Sequence, residues 1–408
     1  MLLIYNIGLQ LYFCAIYAAS FFNKKADLWI KGRKNSSYNK FEQSTWFHFA
    51  SLGEFEQGRP VLEQYREKHP QGKVVITFFS PSGYEIRKNT PLADAVYYLP
   101  LDTAANARRF IEAIQPDMAI FTKYEYWYHF FNELHKRDIP LYIISGIFRP
   151  KQIFFKWYGG LHRKILSFVS WFFVQDEASK LLLQNVGLNN ATVSGDTRFD
   201  RVWANAQQPK DLPLIKQFTG DSKVFIAGST WPDDEKLLAQ LISKYPHWKF
   251  IIAPHETGDE KISNLIALLP QGSAIKHSQL TTHNLQHTTY NSQKTLIIDN
   301  IGMLSSLYQY GDIAYIGGGF GVGIHNTLEA AAFGLPVIFG PNYNKFKEAK
   351  DLVALKCGFS INNEEELKTA VSFLVDDNER EAIGIKIKAY VKDNTGATET
   401  IMNHIFNS

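Results

Sequence analysis

A glycine-rich turn between two short apolar strands constrains the fold of this chain more than any other stretch. Within Tyr310–Lys347, a β-branched and aromatic run over Asp312–Ile316 predicts a buried strand that leads straight into the glycines. A helix is predicted from about His325 to Gly334, followed by a second strand at Leu335–Phe339. Strand, turn, helix and strand in this order form a βαβ unit, and such a unit requires a parallel sheet.

The turn of this unit has the features of an anion-binding site. Its glycines let a ligand approach the backbone, and free N–H groups at the start of the next helix attract an anion such as a nucleotide phosphate. Asn326 is the predicted N-cap, and Glu329 could reach ribose hydroxyls, although the two could act only as a capping pair. Glycine spacing alone leaves both interpretations open, because the loop is neither a P-loop nor GxGxxG. The glycines are Gly317, Gly318 and Gly319.

Composition is typical of a globular protein with two domains. The 408 residues are enough for two cores, and 45% hydrophobic and 20% charged residues argue against extensive disorder. A net charge of +3 is too small to indicate nucleic-acid binding. The two cysteines, Cys14 and Cys357, lie far apart in the sequence and indicate neither a disulfide framework nor a metal cluster. We predict no cofactor.

The first 22 residues have the features of a membrane anchor. Met1–Phe22 carries no charged side chain and is just long enough to cross a bilayer. Lysines and arginines are frequent in the next segment, residues 24–40, whereas a signal peptide would carry its positive charge in front. The positive-inside rule therefore keeps the body of the protein in the cytoplasm. The segment could span the membrane or lie in its interface, and the polar Asn6 and Gln10 also allow a buried helix.

The first half of the chain alternates short apolar strands with amphipathic helices, which predicts a parallel, doubly wound sheet. Ligands of such sheets bind at the carboxyl ends of the strands. The residues that follow the strands are therefore the candidate site residues of this half. The predicted strands are Trp46–Ala50, Val74–Phe79, Ala95–Leu99, Met118–Thr122, Leu141–Ser145, Trp171–Val174 and Ala191–Ser194.

Two acids stand at this predicted edge. Glu54 opens the helix after the first strand, where it could complement the helix dipole or act as a general base for a hydroxyl acceptor. Glu125 follows the fourth strand and has aromatic neighbours in the sequence. Neither acid has a further ligand at a metal-binding spacing, so no metal site is predicted. Small and polar residues of the same loops complete the candidate site: Ser51, Gly53, Ser80 and Lys123.

Basic and aromatic residues are interleaved over Arg149–Trp171. Such a surface could hold a phosphorylated lipid or lie on anionic headgroups. A solvated basic face over an ordinary core is the alternative, and the sequence leaves both open.

The second half repeats the alternation and supplies a second set of strand-end loops. A strand at Val224–Ala227 ends in Gly228-Ser229-Thr230, which leads into a helix with Pro232 in its first turn. A strand at Phe250–Ala253 ends just before His255. Together with the glycine-rich turn, these loops are expected to converge on one edge and to bind the donor of a transfer reaction.

These features are typical of GT-B glycosyltransferases, α/β enzymes in which two Rossmann-like doubly wound domains face a cleft. The individual motifs resemble one family more closely, the 3-deoxy-D-manno-octulosonic acid (Kdo) transferases of lipopolysaccharide synthesis. Their order along nearly the whole chain makes the resemblance more specific than any single motif. The matching motifs are Ala50-Ser51-Leu52-Gly53-Glu54, Pro100-Leu101-Asp102, Glu125 with Trp127, Ser194-Gly195-Asp196-Thr197-Arg198 with Asp200, Gly228-Ser229-Thr230, and His325-Asn326 with Leu328-Glu329.

The resemblance implies an enzyme that transfers Kdo from CMP-Kdo to the 6′ hydroxyl of a lipid A precursor, lipid IVA, with inversion at the anomeric carbon. It makes Glu54 the catalytic base and Glu125 a second acid at the acceptor or Kdo site. It places CMP against Gly228-Ser229-Thr230, the Gly317–Gly319 loop, and Asn326 with Glu329. A lipid acceptor also implies that the protein works at the cytoplasmic face of the inner membrane, held by its N-terminal anchor.

Four segments follow from these considerations. An anchor with its basic flank occupies 1–35, an acceptor-binding domain 36–205 and a CMP-sugar-binding domain 206–385. A C-terminal helix over 386–408 could pack back on the first domain. The alternatives are another GT-B enzyme that uses a UDP-sugar, either a glycosyltransferase or a nucleotide-sugar epimerase, and a membrane-tethered nucleotide-binding protein without catalysis.

Overall fold

Two seven-stranded parallel sheets organise the chain in the computed structural model, which describes residues 1–34, 37–280 and 293–407. The chain divides into two compact units. The first unit comprises Met1–Arg201 and Asn394–Ser408, and the second comprises Val202–Asp393. The predicted α/β class, with two doubly wound halves and an apolar N-terminal helix, is confirmed.

The sheet of the first unit has the strand order β3-β2-β1-β4-β5-β6-β7. Every strand predicted in this half is present, and its ends lie within two residues of the predicted ones. The strands are β1 (Ser44–Phe49), β2 (Val74–Phe78), β3 (Ala95–Tyr98), β4 (Pro116–Thr122), β5 (Leu141–Gly146), β6 (Trp171–Val174) and β7 (Ala191–Val193). The helices up to the end of this half are α1 (Leu2–Ala19), α2 (Lys24–Lys34), α3 (Leu52–Lys68), α4 (Pro81–Arg87), α5 (Ala104–Ile114), α6 (Tyr128–Lys136), α7 (Gly160–Leu166), α8 (Glu177–Gln184) and α9 (Thr197–Gln207).

Strand β1 is buried along its whole length because helices cover both faces of the sheet. Successive side chains of a strand point to opposite faces, so Trp46 packs into the core on one side and Phe47 and Phe49 into the core on the other. This central position fixes the carboxyl end of β1, where the candidate base Glu54 follows.

The sheet of the second unit has the order β10-β11-β9-β8-β12-β13-β14. Its strands are β8 (Val224–Thr230), β9 (Lys249–Pro254), β10 (Ala274–Lys276), β11 (Thr295–Ile297), β12 (Ile313–Ile316), β13 (Val337–Phe339) and β14 (Gly358–Ser360). Its helices are α10 (Pro213–Thr219), α11 (Pro232–Lys244), α12 (Asp259–Leu268), α13 (Leu304–Leu307), α14 (Leu328–Ala332), α15 (Lys347–Ala354), α16 (Glu364–Leu374) and α17 (Asp377–Asp393).

The C-terminal helix α18 (Ala397–Asn407) is part of the first unit. The carboxylate of Asp200 accepts hydrogen bonds from the N–H groups of Gly396 and Thr398, at 2.6 and 2.7 Å. Those donors at the start of the helix would otherwise lack partners. The helix then packs against the core beside α3 through Ile401, Met402 and Ile405.

Helix α1 docks on the first unit with one stripe of side chains and exposes the other. The hydroxyl of Tyr5 donates to the buried Asp102 at 2.6 Å, and the Asn6 side-chain oxygen lies 2.8 Å from Nε2 of His129. The helix has 18 residues with a mean hydropathy of 1.6, so its length and composition would allow it to cross a membrane. Large apolar side chains are exposed on its other side: Leu3, Ile4, Ile7 and Leu11.

The predicted start of the helix after the glycine-rich turn was wrong. Helix α14 begins at Leu328, and Thr327 rather than Asn326 occupies the N-cap position. The His325 N–H donates to the Gly317 carbonyl at 3.1 Å, which folds the preceding segment back as a loop. Asn326 then accepts from the Leu328 N–H at 3.1 Å and forms a turn just ahead of the helix.

Candidate active site

Glu54 lies in the first turn of α3, beyond the carboxyl end of β1. The helix begins at Leu52 rather than at Glu54, and Ser51 is its N-cap, with Oγ 3.5 Å from the Glu54 N–H. The Glu54 carboxylate folds back over the strand end, where Oε2 accepts the Ala50 N–H at 2.7 Å. Gly53 is exposed beside it. The side chain is therefore fixed at the strand-end edge of the sheet.

Burial raises the pKa of the Glu54 carboxyl from 4.5 to about 7. The hydrogen bond from Ala50 and the nearby Lys123 ammonium act in the opposite direction, while the negative charge of Glu125 adds to the increase. A carboxyl group with a pKa near the working pH suits general base catalysis, because enough of it is ionised and it still takes up a proton readily.

Two aromatic side chains contact the Glu125 carboxylate. The indole N–H of Trp127 donates to its Oε2 at 2.9 Å, and Nε2 of the fully buried His48 lies 3.3 Å from the same oxygen. The indole of Trp127 stacks on Phe79 at 5.1 Å between ring centroids. This second predicted acid thus has a defined orientation at the carboxyl end of β4.

The remaining predicted residues of this unit lie in the neighbouring strand-end loops. Ser80 is the N-cap of α4, although its hydroxyl pairs with the Ser82 hydroxyl at 2.7 Å instead of capping the helix. Lys123 directly follows β4 with φ of +67°, a left-handed conformation that turns the chain sharply toward Glu125. The first unit therefore carries Ser51, Glu54, Ser80, Lys123 and Glu125 along one edge.

In the second unit, the predicted turn at Gly228–Thr230 is the end of a strand. Strand β8 runs through to Thr230, with an irregularity between Gly228 and Thr230 where Ser229 takes φ of +56°. This bulge brings β8 against the glycine-rich loop. A Cβ atom at Gly317 would lie 2.2 Å from the Ser229 carbonyl oxygen, so close backbone approach requires glycine there.

Gly319 has the same kind of role, because a Cβ atom there would lie 2.6 Å from the backbone of Gly340. The glycine between them, Gly318, has φ of +89° and donates its N–H to the Asp234 carboxylate at 2.9 Å. Backbone packing therefore accounts for two of the three glycines predicted to face a ligand. The third supports the shape of the loop.

Asp234 connects three segments around the glycine-rich loop. Oδ2 accepts the Gly318 N–H and the Trp231 N–H, both at 2.9 Å, and Oδ1 accepts the Tyr315 hydroxyl at 2.7 Å. Burial raises the pKa of the Asp234 carboxyl, and the three hydrogen bonds oppose that increase. Asp234 was not predicted as a site residue; at position N3 of α11 it accepts from the backbone N–H of the N-cap residue Trp231, as the acid of a capping box does.

Three aromatic rings stack at the same edge. The His255 ring stacks on both Trp231 and His325, with 4.6 Å between ring centroids in each pair. The Trp231 indole N–H donates to Nε2 of His325 at 3.1 Å, so a neutral His325 carries its proton on Nδ1. Burial, then the neighbouring His255, lowers the pKa of His325 and favours that neutral form.

Asn326 and Glu329 bind each other through a hydrogen bond of 3.2 Å from the Asn326 amide to Oε1. The predicted donor-site residues of the second unit, these two included, thus lie around the ends of β8, β9 and β12. Side chains that were not predicted as site residues but contact predicted ones are His48 at Glu125, Trp231 at His325 and Asp234 at Gly318.

Solved structures of other proteins have the same fold as this chain. A UDP-GlcNAc 2-epimerase from Neisseria meningitidis superposes with a TM-score of 0.62 at 17% identity, over 90% of this chain and 100% of that one. A glycosyltransferase from Rickettsia africae gives a TM-score of 0.57 at 12% identity, over 90% and 100%. The chain has the two-domain α/β fold of GT-B type that these proteins share.

Sequence comparison narrows the class to a family. Residues 25–201 match the family described as 3-deoxy-D-manno-octulosonic-acid transferase. The Kdo transferase of Chlamydia trachomatis serovar A is 27% identical over 92% of this chain and 89% of its own length, and that of Haemophilus influenzae is 27% identical over 88% and 86%. These matches confirm the predicted resemblance to the Kdo transferases and support a Kdo glycosyltransferase of lipopolysaccharide synthesis.

Proposed function

We propose that this protein transfers Kdo from CMP-Kdo to the 6′ hydroxyl of a lipid A precursor, lipid IVA, with Glu54 as the general base. One observation carries the proposal: a mostly buried carboxyl group with a pKa of about 7 stands at the carboxyl end of the central strand β1. A general base that removes a proton from a hydroxyl group near neutral pH needs a pKa of this kind.

In the proposed reaction, the 6′ oxygen of the acceptor attacks the anomeric carbon of Kdo while the bond from that carbon to the CMP phosphate oxygen breaks. The electron pair of the broken bond leaves with CMP, and the hydroxyl proton passes to the Glu54 carboxylate. Attack from the side opposite the departing phosphate inverts the anomeric carbon. The transition state resembles an oxocarbenium ion, so the base acts only as the acceptor oxygen attacks.

The second unit is proposed to bind the donor. Backbone N–H groups of the β8 and β12 loops and the Nδ1–H of His325 are donors that suit the single phosphate of CMP-Kdo. Glu329 is proposed to accept from ribose hydroxyls, in exchange for its hydrogen bond with Asn326. The residues assigned to donor binding are Gly228, Ser229, Thr230, His255, Gly317, Gly318, Gly319, His325, Asn326 and Glu329.

The direct test is to incubate the purified protein with CMP-Kdo and a tetra-acylated lipid A precursor and to weigh the lipid product. An increase by one or more Kdo units is expected, together with release of CMP. A folded protein that releases no CMP and leaves the lipid mass unchanged would overturn the proposal.

Nucleotide binding separates the proposal from the UDP-sugar alternative. CMP should bind more tightly than UDP in calorimetric titrations, because the proposal assigns the site to a cytidine nucleotide. Tighter binding of UDP, or turnover of a UDP-sugar, would favour the other GT-B activities.

The proposal also places the protein on the cytoplasmic face of the inner membrane. The hydrogen bonds of Tyr5 and Asn6 keep one side of α1 on the protein, and the other side presents apolar side chains. Trp157, 91% exposed, and Tyr158 belong to the basic and aromatic segment Arg149–Trp171. Apolar and aromatic side chains with nearby lysines suit the boundary between headgroups and acyl chains.

Replacing Ile4 and Ile7 together by Ser is expected to weaken binding to lipid vesicles by about tenfold or more, because apolar area leaves the membrane and no charge is added. Sedimentation of the full chain with vesicles of phosphatidylethanolamine and phosphatidylglycerol measures the change. The matched control replaces Leu181 and Ile385, which are similarly exposed on α8 and α17, by Ser. Equal losses in the two variants would contradict a role for α1.

A further inference from the structure

A row of buried polar groups leads to Glu125 from inside the first unit. Nδ1 of His48 lies 2.8 Å from Oγ1 of Thr77, on the neighbouring strand β2, and its Nε2 lies 3.3 Å from Glu125. Beyond Thr77, the indole N–H of Trp46 donates to the same hydroxyl at 2.8 Å. Trp46, His48 and Thr77 are completely buried, so each polar atom must find its partner within this row.

The contacts at Thr77 allow Nδ1 of His48 to be an acceptor. An indole N–H only donates, so the Thr77 oxygen accepts from Trp46 and its own proton is available for Nδ1 of His48. A neutral imidazole that accepts on Nδ1 carries its proton on Nε2. Burial lowers the pKa of His48, although the hydrogen bond to Glu125 acts in the opposite direction, so the neutral form is favoured.

The other end of the row requires the same assignment. A lone pair on Nε2 would face a carboxylate oxygen at 3.3 Å and repel it, whereas an Nε2–H group donates to it. The second donor to this carboxylate, the Trp127 indole, reaches the same Oε2 atom. Of these contacts none involves Oε1, which is therefore the oxygen available to a substrate hydroxyl.

We propose that His48 is a positioning residue for Glu125, held by Thr77 in the Nε2–H form so that it fixes one carboxylate oxygen and presents the other to substrate. Glu125 is then an oriented acceptor for a sugar hydroxyl. The inference rests on the proposed function in that the protein transfers Kdo, and it takes from the family resemblance that Glu125 lies at the acceptor or Kdo site.

Two substitutions of His48 separate donation from packing. His48→Phe keeps the ring and removes both nitrogens, and it should lower kcat/KM for Kdo transfer about tenfold or more. His48→Gln places an amide N–H near the position of Nε2 and should recover most of that loss. Thr77→Val, which removes the group that fixes the imidazole, should have an effect between these two.

A double-mutant cycle distinguishes positioning from general stability. If His48 acts through Glu125, His48→Phe should cost less than about twofold in a Glu125→Gln background. An equal cost in both backgrounds, or no cost in the wild type, would overturn the inference. The matched control is Thr45→Val, which removes a buried hydroxyl of the same strand at its other end, 2.7 Å from the Tyr65 hydroxyl, and should leave transfer unchanged.

The protonation of His48 can be measured without any reaction. Histidine labelled with nitrogen-15 should give the NMR pattern of a neutral ring protonated on Nε2, and Thr77→Val should alter it. A ring protonated on Nδ1, or on both nitrogens near neutral pH, would overturn the inference. If the wild type transferred no Kdo, the proposed function would fail, and this measurement would still decide the state of His48.

Discussion

Replacing Glu54 by Gln is expected to lower the rate of Kdo transfer by about 10³, within the range that general base catalysis supplies, and to leave CMP binding unchanged. Gln has the size of Glu, and its Oε1 can still accept the Ala50 N–H that Glu54 accepts at 2.7 Å. It cannot accept the proton of the attacking hydroxyl. Single-turnover transfer from CMP-Kdo to the lipid acceptor measures the loss, and calorimetric titration with CMP serves as its control.

The pH dependence of the wild type checks the same assignment independently. With a pKa of about 7 for Glu54, kcat/KM should fall about tenfold per pH unit below 7 and level off above it, because only the ionised carboxylate can accept the proton. The residual kcat/KM of Glu54→Gln should not show this fall below pH 7. A wild-type profile that stays flat from about pH 5 to 8 would rule out Glu54 as the base.

The raised pKa of Glu54 also predicts that Glu54→Gln is at least as stable as the wild type, so the lost activity of this variant will not be due to unfolding. A carboxyl group with a pKa of 4.5 in the unfolded chain and about 7 in the folded protein binds its proton more tightly when folded. Its contribution to stability is complete below 4.5 and is lost as the pH rises through 7. Gln has no such titration, so the free energy of unfolding of the variant should exceed that of the wild type above pH 7, by up to about 3 kcal/mol. Urea denaturation in acid and in base measures the difference.

The strands of the first sheet could be predicted because their signal is local. Runs such as Trp46–Ala50 and Trp171–Val174 are apolar, aromatic or β-branched and end at turn residues, so each can be recognised as a strand from its own residues. Strands β10 and β14 were not predicted, because each has only one β-branched or aromatic residue among its three and so shows no run. The late start of α14 depends on a hydrogen bond from His325 to the Gly317 carbonyl, which no helix signal encodes.

Some residues of the candidate site could likewise be predicted from local sequence, and others could not. Glu54 and Glu125 could be selected because they follow strands that a parallel sheet aligns at one edge. His48 could not, since it lies within a predicted strand and its partner is 77 residues away in the sequence. Its role depends on which side chains the register of β1, β2 and β4 brings together.

The glycine-rich loop shows why a motif alone was ambiguous. Its glycines were predicted to admit a ligand, yet Gly317 and Gly319 are required by the approach of β8 and of the segment after β13. What shapes the loop is Asp234, which lies 84 residues before Gly318 and accepts its N–H. If the loop holds CMP, as proposed, donor binding should depend on this carboxylate although it contacts no nucleotide in the proposal.

Replacing Asp234 by Ala is therefore expected to lower the free energy of unfolding by about 3 kcal/mol, because the N–H groups of Gly318 and Trp231 and the Tyr315 hydroxyl lose their acceptor inside the protein. The affinity for CMP should fall by about tenfold or more as the loop loses its shape. Urea denaturation and calorimetric titration with CMP measure the two effects separately.

Two further variants make this prediction specific. Asp234→Asn can turn its oxygen to the two N–H groups and its amide to the Tyr315 oxygen, so most of the stability and affinity should remain. Asp233→Ala removes an exposed ion pair with Lys236 and one negative charge from the first turn of the same helix, so it should cost less than about 1 kcal/mol and leave the affinity for CMP unchanged. If Asp234→Ala lost stability and still bound CMP like the wild type, the loop would be structural and the donor phosphate would lie elsewhere. Parallel losses in the Ala variant, with both controls intact, would tie donor binding to the loop through Asp234.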